Sequence, residues 1–363
     1  MTQKPIGFHL SRLQYAFKGR RALPRLVRSY LRYKFRPDQV NLRCLSLLLG
    51  YKCPCKCPFC SVQELKRRYD DELSVEEFKD LIDQGMALGV VNSTLSGGEP
   101  LMYMDKLIPL IEHIRRRRGL CTIATTGIYL EERLDDLVEA GLNNVFISMG
   151  GIGQEHDQSR GVDGLFEHAL GGLLKARERG LFVGVRGIVT HENLHDGSLE
   201  KLLAFLAGHR LLLTATPIYS GTTGRDGTTT VNVLPPEDQE LARRFQAKHG
   251  NLMLDVNANF NYPACPAVYE WITILADGEA VPCAGIMTSL GNIREMPLKD
   301  ILARGRMAPD LNRQSEVCRS GEDASFCARW IQPIEDAPKP VRLEEHPVLG
   351  PEMERIEGEE KNQ

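Results

Sequence analysis

No stretch of this 363-residue chain is apolar over the ~20 residues that a membrane-spanning helix requires; the longest apolar runs, LSLLLGY and LLLTATPIY, fall far short. The N-terminus has no apolar core followed by a small-residue cleavage site, which argues against secretion and for a cytoplasmic protein. Acidic residues are missing altogether before Asp38, so Lys4, Arg12, Lys18, Arg20, Arg21, Arg25, Arg28, Arg32, Lys34 and Arg36 have no local counter-charge. That polarity hides behind a formal net charge of −3. With 42% hydrophobic and 26% charged residues the composition is that of a soluble globular protein, long enough for one large domain and a smaller one.

Between residues 42 and 250, strand-like segments alternate with helix-like ones. The strands read LRCLSLLLGY, VVNSTLSGG, LCTIATTG, NNVFISMGG, FVGVRGIVTH and LLLTATPIY, several of them apolar on both alternating faces, as strands covered on both sides must be. Between them lie amphipathic stretches such as SVEEFKDLIDQGMALG and LEERLDDLVEAG. Ser74 and Glu77 form a capping-box pattern, and Gly89, Gly119, Gly141 and Gly180 stand where helices should stop. Six β/α units in a row predict an α/β fold with a parallel sheet, open or barrel-like, whose working loops lie at the strands' C-terminal ends. The chemically suggestive segments fall there: YKCPCKCPFCS, SGGEP, TTG, SMGG, THEN and YSGTTGRDG.

Four of the ten cysteines, Cys53, Cys55, Cys57 and Cys60, occupy eight positions of the first of these loops. Thiols that close cannot form a disulfide framework, and in a cytoplasmic protein such a cluster points to metal or redox chemistry. A structural zinc site would close its tetrahedron with a nearby C-x-x-C or H-x-x-x-H pair, and none follows within the next sixty residues. A [4Fe–4S] cluster held by three cysteines leaves one iron open. Spacing in an extended backbone does not choose the three, because Cys53, Cys55 and Cys57 would share one face.

The loop resembles the signature of the radical S-adenosylmethionine (radical SAM) enzymes, C-x3-C-x2-C with an aromatic residue before the last cysteine. One triple fits that pattern: Cys53, Cys57 and Cys60, with Phe59 as the aromatic and Cys55 to spare. The Gly-Gly-Glu-Pro element after the second strand, Gly97, Gly98, Glu99 and Pro100, is also similar to the family's. The resemblance implies a partial (β/α)6 TIM-type barrel, a SAM-binding [4Fe–4S] cluster, and S-adenosylmethionine held by its amino group at the GGEP loop. It implies reductive cleavage of SAM to a 5′-deoxyadenosyl radical that abstracts hydrogen from a substrate, with electrons from a reductant such as flavodoxin or ferredoxin. Ser148, Arg160 and Asn193 look like contacts to the SAM carboxylate, ribose or adenine; their bland readings are a strand-end hydroxyl, a surface arginine and a turn asparagine. Gly150 stands where the family often has an aspartate.

A second set, Cys265, Cys283, Cys318 and Cys327, follows the last β/α unit. Thiols spread this widely fit either a structural zinc site or an iron–sulfur cluster. CPAVYEWITILADGEAVPC resembles the opening of the SPASM or twitch extensions of radical SAM enzymes, with a hairpin turning at Asp277 and Gly278. A full SPASM domain would carry further cysteines at Gly321 and Ile331. Four thiols therefore imply one fully ligated auxiliary [4Fe–4S] cluster that moves electrons or holds the fold. Cys44 and Cys121 fall in apolar strands and are expected to be inert and buried.

The expected organisation is a basic amphipathic extension over 1–40, the radical SAM core over 41–250, the auxiliary-cluster domain over 251–335, and an acidic, mobile tail over 336–363. The N-terminal segment has two open readings, a helix capping the barrel or a peripheral contact of residues 1–36 with the inner face of the membrane, the latter suiting a lipid or other small-molecule substrate. Nucleic acid is not expected, since no recognition motif accompanies the charges. Some forty residues ahead of the barrel are few for a leader-binding domain, which argues against a peptide substrate, the alternative reading. The loop Tyr219 to Thr229, with Arg225 and Asp226, is a candidate substrate contact or a mobile lid.

Overall fold

The computed structural model describes residues 22–35, 42–58, 60, 62–65, 71–217, 222–223, 229–230, 233–254 and 265–361. Phe59, most of the loop 219–229 and residues 1–21 lie outside the described residues. After α1 (Leu23–Phe35), the chain runs β1 (Cys44–Leu48), α2 (Val75–Leu88), β2 (Asn92–Ser96), α3 (Met104–Arg116), β3 (Leu120–Thr125), α4 (Leu130–Ala140) and β4 (Asn144–Ser148). It continues through α5 (Gln154–Arg160), α6 (Leu165–Glu178), β5 (Phe182–Val189), α7 (His191–His195), α8 (Ser198–Gly208), β6 (Leu213–Pro217), α9 (Pro236–Lys248) and β7 (Leu252–Leu254).

The helix boundaries follow the local chemistry of the sequence. The Ser74 hydroxyl accepts the Glu77 N–H at 3.3 Å while the Glu77 carboxylate accepts the Ser74 N–H at 2.8 Å, the reciprocal box that the pattern predicts. Gly89 and Gly141 take the left-handed conformation that ends α2 and α4. At the end of α3 it is Arg118, with φ 59°, that turns left-handed, one residue before the expected Gly119.

β1 to β6 lie side by side in chain order, every pair parallel, so all their C-terminal ends share one edge. The sheet is longer than the six strands expected. β7 pairs parallel with β6, and β8 (Trp271–Ile274) pairs parallel with β1, carrying β9 (Ala280–Val281) as its antiparallel hairpin partner. The auxiliary segment is thus built onto the barrel's edge strand, and the boundary expected at residue 250 cuts off a strand of the barrel sheet.

The acidic tail is a correction. It folds as α13 (Leu349–Lys361), with Leu343, Leu349 and Met353 fully buried. Its charge gave the impression of solvation, but Arg304 of α10 (Leu298–Met307) pairs with Glu344 and Glu357, and Arg329 pairs with Glu352. Acids matched by arginines leave the apolar positions free to pack.

Candidate active site

The cysteine loop leaves the C-terminal end of β1 and is stitched to its neighbours through the backbone. Gly98 N–H donates to Gly50 O at 2.8 Å, Glu99 N–H to Lys52 O at 2.7 Å, and Lys56 N–H to Arg160 O at 2.7 Å. The Lys52 N–H also donates to the Tyr103 hydroxyl at 2.8 Å. The two glycines are required by this approach: a Cβ on Gly98 would sit 2.3 Å from Lys52 O, and Gly97 holds φ +136° with its missing Cβ 2.4 Å from Gly50 O. GGEP and the cysteine loop, about forty residues apart in sequence, are therefore one structural unit.

Cys55 is the most buried of the four thiols there, at 3% exposed, and packs with Cys57 and Leu165, with Cys53 and Cys60 beside them. Its thiol hydrogen-bonds both Cys53 and Cys57, which raises Cys55 far above the ordinary thiol range. The same bond from Cys55, with help from the Arg160 charge, lowers Cys57 to about 5, and Cys53 is lowered by its bond to Cys55. Of these thiols Cys57, beside the Arg160 guanidinium, is the one most readily ionised. Thiolate is the form that ligates metal, so the donor set suits a cluster held from this loop.

Arg160 is no surface arginine. It is 7% exposed at the end of α5, and its Nη1 donates to Cys57 Sγ at 3.4 Å. Ser148 ends β4, in register with Arg186 of β5. Asn193 sits in a capping box: its Oδ1 accepts the Thr190 N–H at 3.0 Å and its Nδ2 donates to Ile188 O at 2.8 Å. Those bonds are the local work of a turn asparagine, and they aim the amide at β5.

Glu99 departs from its expected part. Its carboxylate is fully buried and accepts four hydrogen bonds, from Thr125 Oγ1 (2.6 Å), Leu101 N (3.1 Å), Thr126 N (2.8 Å) and Thr126 Oγ1 (2.6 Å). A carboxylate has about four lone-pair sites, so none remains for a ligand ammonium. Glu99 fastens GGEP to the end of β3.

The sequence reading missed a polar row crossing the sheet below this rim. Asn144 Nδ2 donates to Thr122 Oγ1 (2.9 Å), Thr122 Oγ1 to Asn92 Oδ1 (2.8 Å), and Asn92 Nδ2 to Thr94 Oγ1 (3.2 Å) and Cys44 Sγ (3.6 Å). Cys44 is thus part of a hydrogen-bonded row, unlike the inert thiol expected; Cys121 is 1% exposed in the apolar core, as expected. Alternating polar residues in NSTLS were the available sign. Also unforeseen, His191 and His195 on one face of α7 both bond the buried Asp238 carboxylate at 2.7 Å, tying α7 to α9.

The second cysteine set also converges. Cys318 is raised by burial and then by the nearby charges of Cys265 and Cys283. The Cys327 thiol, in α12 (Ala324–Trp330), donates to Arg319 O at 3.4 Å and Ser320 O at 3.6 Å, both in α11 (Arg319–Glu322), which follows Cys318. The two positions without cysteine have other duties. Gly321 O accepts the Leu234 N–H at 2.9 Å, and Ile331, 5% exposed, belongs to the core.

Comparison with known proteins agrees with this geometry. Residues 47–206 match the radical SAM superfamily, and residues 265–327 match an iron–sulfur cluster-binding domain, SPASM. A PqqA peptide cyclase from Ruegeria pomeroyi is 30% identical over 296 residues, covering 75% of this chain and 77% of that protein. The Fe-coproporphyrin III synthase of Methanosarcina barkeri is 36% identical over 147 residues, 40% of this chain; the chain spans only 36% of that protein's length. Among solved structures, Streptococcus suis SuiB bound to precursor peptide SuiA shares the fold, with a TM-score of 0.58 at 16% identity over 76% of this chain and 67% of that one. The chain belongs to the radical SAM superfamily, with a SPASM iron–sulfur region at its C-terminal side. It is a radical SAM enzyme whose cofactors are a [4Fe–4S] cluster, SAM and auxiliary iron–sulfur. Among the described residues no helix is long and apolar enough to cross a membrane.

Proposed function

We propose that this enzyme modifies a peptide or protein substrate. The observation that carries the reading is the extent of the likeness to PqqA peptide cyclase, 296 residues and 75% of this chain, whereas that to Fe-coproporphyrin III synthase is confined to 147 residues. This reverses the order suggested by the short N-terminal extension, which favoured a small molecule or lipid.

In this reading Cys53, Cys57 and Cys60 hold the SAM-binding cluster, Phe59 is the aromatic that precedes Cys60 in the sequence, and Cys55 is not a ligand. When bound, the cluster supplies the electron for reductive cleavage of SAM. Gly97 and Gly98, positioned by Pro100 and by the buried Glu99, offer backbone carbonyls to the SAM ammonium. Arg160 places a cation against Cys57, where it also suits a carboxylate, and Ser148 and Asn193 line the neighbouring strand ends. Cys265, Cys283, Cys318 and Cys327 hold one auxiliary [4Fe–4S] cluster, and a flavodoxin or ferredoxin serves as reductant. The substrate lies between the rim and the auxiliary segment.

The test is anaerobic reconstitution followed by an assay for 5′-deoxyadenosine from SAM and dithionite, with and without a heat-treated extract of the source cells. Stimulation by the extract that protease digestion destroys is the expected result. Stimulation that survives protease returns the substrate to the small molecules.

A further inference from the structure

The helix α1 does not sit at the rim. Leu26 packs on Val91 and Leu120, at the starts of β2 and β3, and Arg25 donates to Arg117 O at 3.0 Å and Met86 O at 3.3 Å. It therefore covers the N-terminal ends of the strands, opposite the cysteine loop. Its apolar stripe faces outward: Leu23, Val27 and Leu31, spaced four apart, and Tyr30 are 46% to 53% exposed. Beside the stripe lies a pocket of about 260 Å³ whose walls include Arg25, Arg28, Arg32, Arg117 and Arg118. The nearby acid, Asp83, already bonds Arg117 and His113. Arg28, Arg32 and Arg118 have no acidic partner among the described residues, and burial followed by the like charges of Arg28 and Arg117 pushes Arg25 below its ordinary range.

An exposed apolar row of this size on a stable fold calls for a cover. Three occupants are available, and charge separates them. Residues 1–21 contain no acid to meet the arginines. A second copy docked by two-fold symmetry would set the same arginines against themselves. An anionic bilayer supplies both an apolar boundary for the stripe and phosphates for the guanidinium groups, the pair of signals that stable peripheral binding needs. We propose that the floor of the barrel, formed by α1 and the arginines at the end of α3, docks on an anionic lipid surface. The rim, at the other end of the strands, then faces away from the bilayer. Docking of this kind tethers the enzyme without feeding lipid into its active site, and it stands whether the substrate is a peptide or a small molecule.

The experiment is sedimentation of the reconstituted holoprotein with phosphatidylcholine vesicles, with and without phosphatidylglycerol. Pelleting only with the anionic vesicles, weakened by salt, is expected. The pair Val27→Ser and Leu31→Ser should lose most of the binding, and Arg28→Gln and Arg32→Gln should each weaken it about fivefold. All four residues are remote from the cysteine loop, so 5′-deoxyadenosine yield from SAM should not change and serves as the folding control. Pelleting that ignores lipid charge, or that survives these substitutions, overturns the proposal. So does absence of pelleting; if a dimer broken by Leu31→Ser then appears in sedimentation velocity, the face belongs to a second copy.

Discussion

Cys55 is buried against Cys57 and Leu165 and its thiol stays protonated, so a small isosteric polar replacement should be tolerated there. Cys55→Ser is expected to retain SAM cleavage and the full iron content. Serine at Cys53, Cys57 or Cys60 should abolish cleavage and lower iron by about four per chain, read by iron analysis and 5′-deoxyadenosine. Equal loss at all four positions would remove the distinction. Glu99 tests a different kind of role. Glu99→Ala would strand two hydroxyls and two backbone N–H groups inside the protein, and should destabilise it by about 3 kcal/mol or more in denaturant unfolding. Glu99→Gln, which keeps two acceptor positions, should cost less. The GGEP spelling put a carboxylate at this place; which way it turns was decided by Thr125 and Thr126, at the end of β3.

At the scale of elements, α5 and its loop carry a pH dependence. His156 is fully buried, accepts the Gly150 N–H at Nδ1 (3.3 Å), and burial lowers it from 6.5 to about 4. A histidine depressed in the folded state stabilises above its unfolded value and loses that contribution as pH falls through the folded one. Stability should therefore decline between pH 6.5 and about 4, by at most about 1.4 kcal/mol per pH unit. His156→Gln should flatten the dependence measured by unfolding between pH 7.5 and 5.5; an unchanged slope would assign it to other groups. The tail gives a second prediction. Removing residues 343–363 exposes the core under Leu343, Leu349 and Met353, about 5 kcal/mol of burial, comparable with the whole stability of a domain. The truncated chain is expected to be largely insoluble, whereas a mobile tail would be dispensable. Composition misled here because it counts charge and not the helical face on which the charge lies.

In the whole molecule the auxiliary segment spans the open sheet. β8 extends it beside β1, while Gln239 Nε2 donates to Glu322 O at 2.9 Å and Leu234 N–H to Gly321 O, near the other edge. The proposal of a single auxiliary [4Fe–4S] cluster beside the SAM-binding one predicts about eight irons per chain, and Cys318→Ala should lower that to about four while SAM cleavage persists. Simultaneous loss of both halves would mean that the auxiliary site is needed to fold the first. The sequence alone determined the order of the six β/α units, most of their helix ends, the cysteine loop and its place beside GGEP at one rim, because those depend on short-range periodicity and on motifs read in a line. Only the tertiary structure decided that Arg160 meets Cys57, that Glu99 turns inward, that β8 joins β1, that the acidic tail is packed, and that α1 lies on the floor with its apolar stripe outward. Each of these is a contact between residues far apart in the chain, and which face of an element is covered depends on what arrives from elsewhere to cover it.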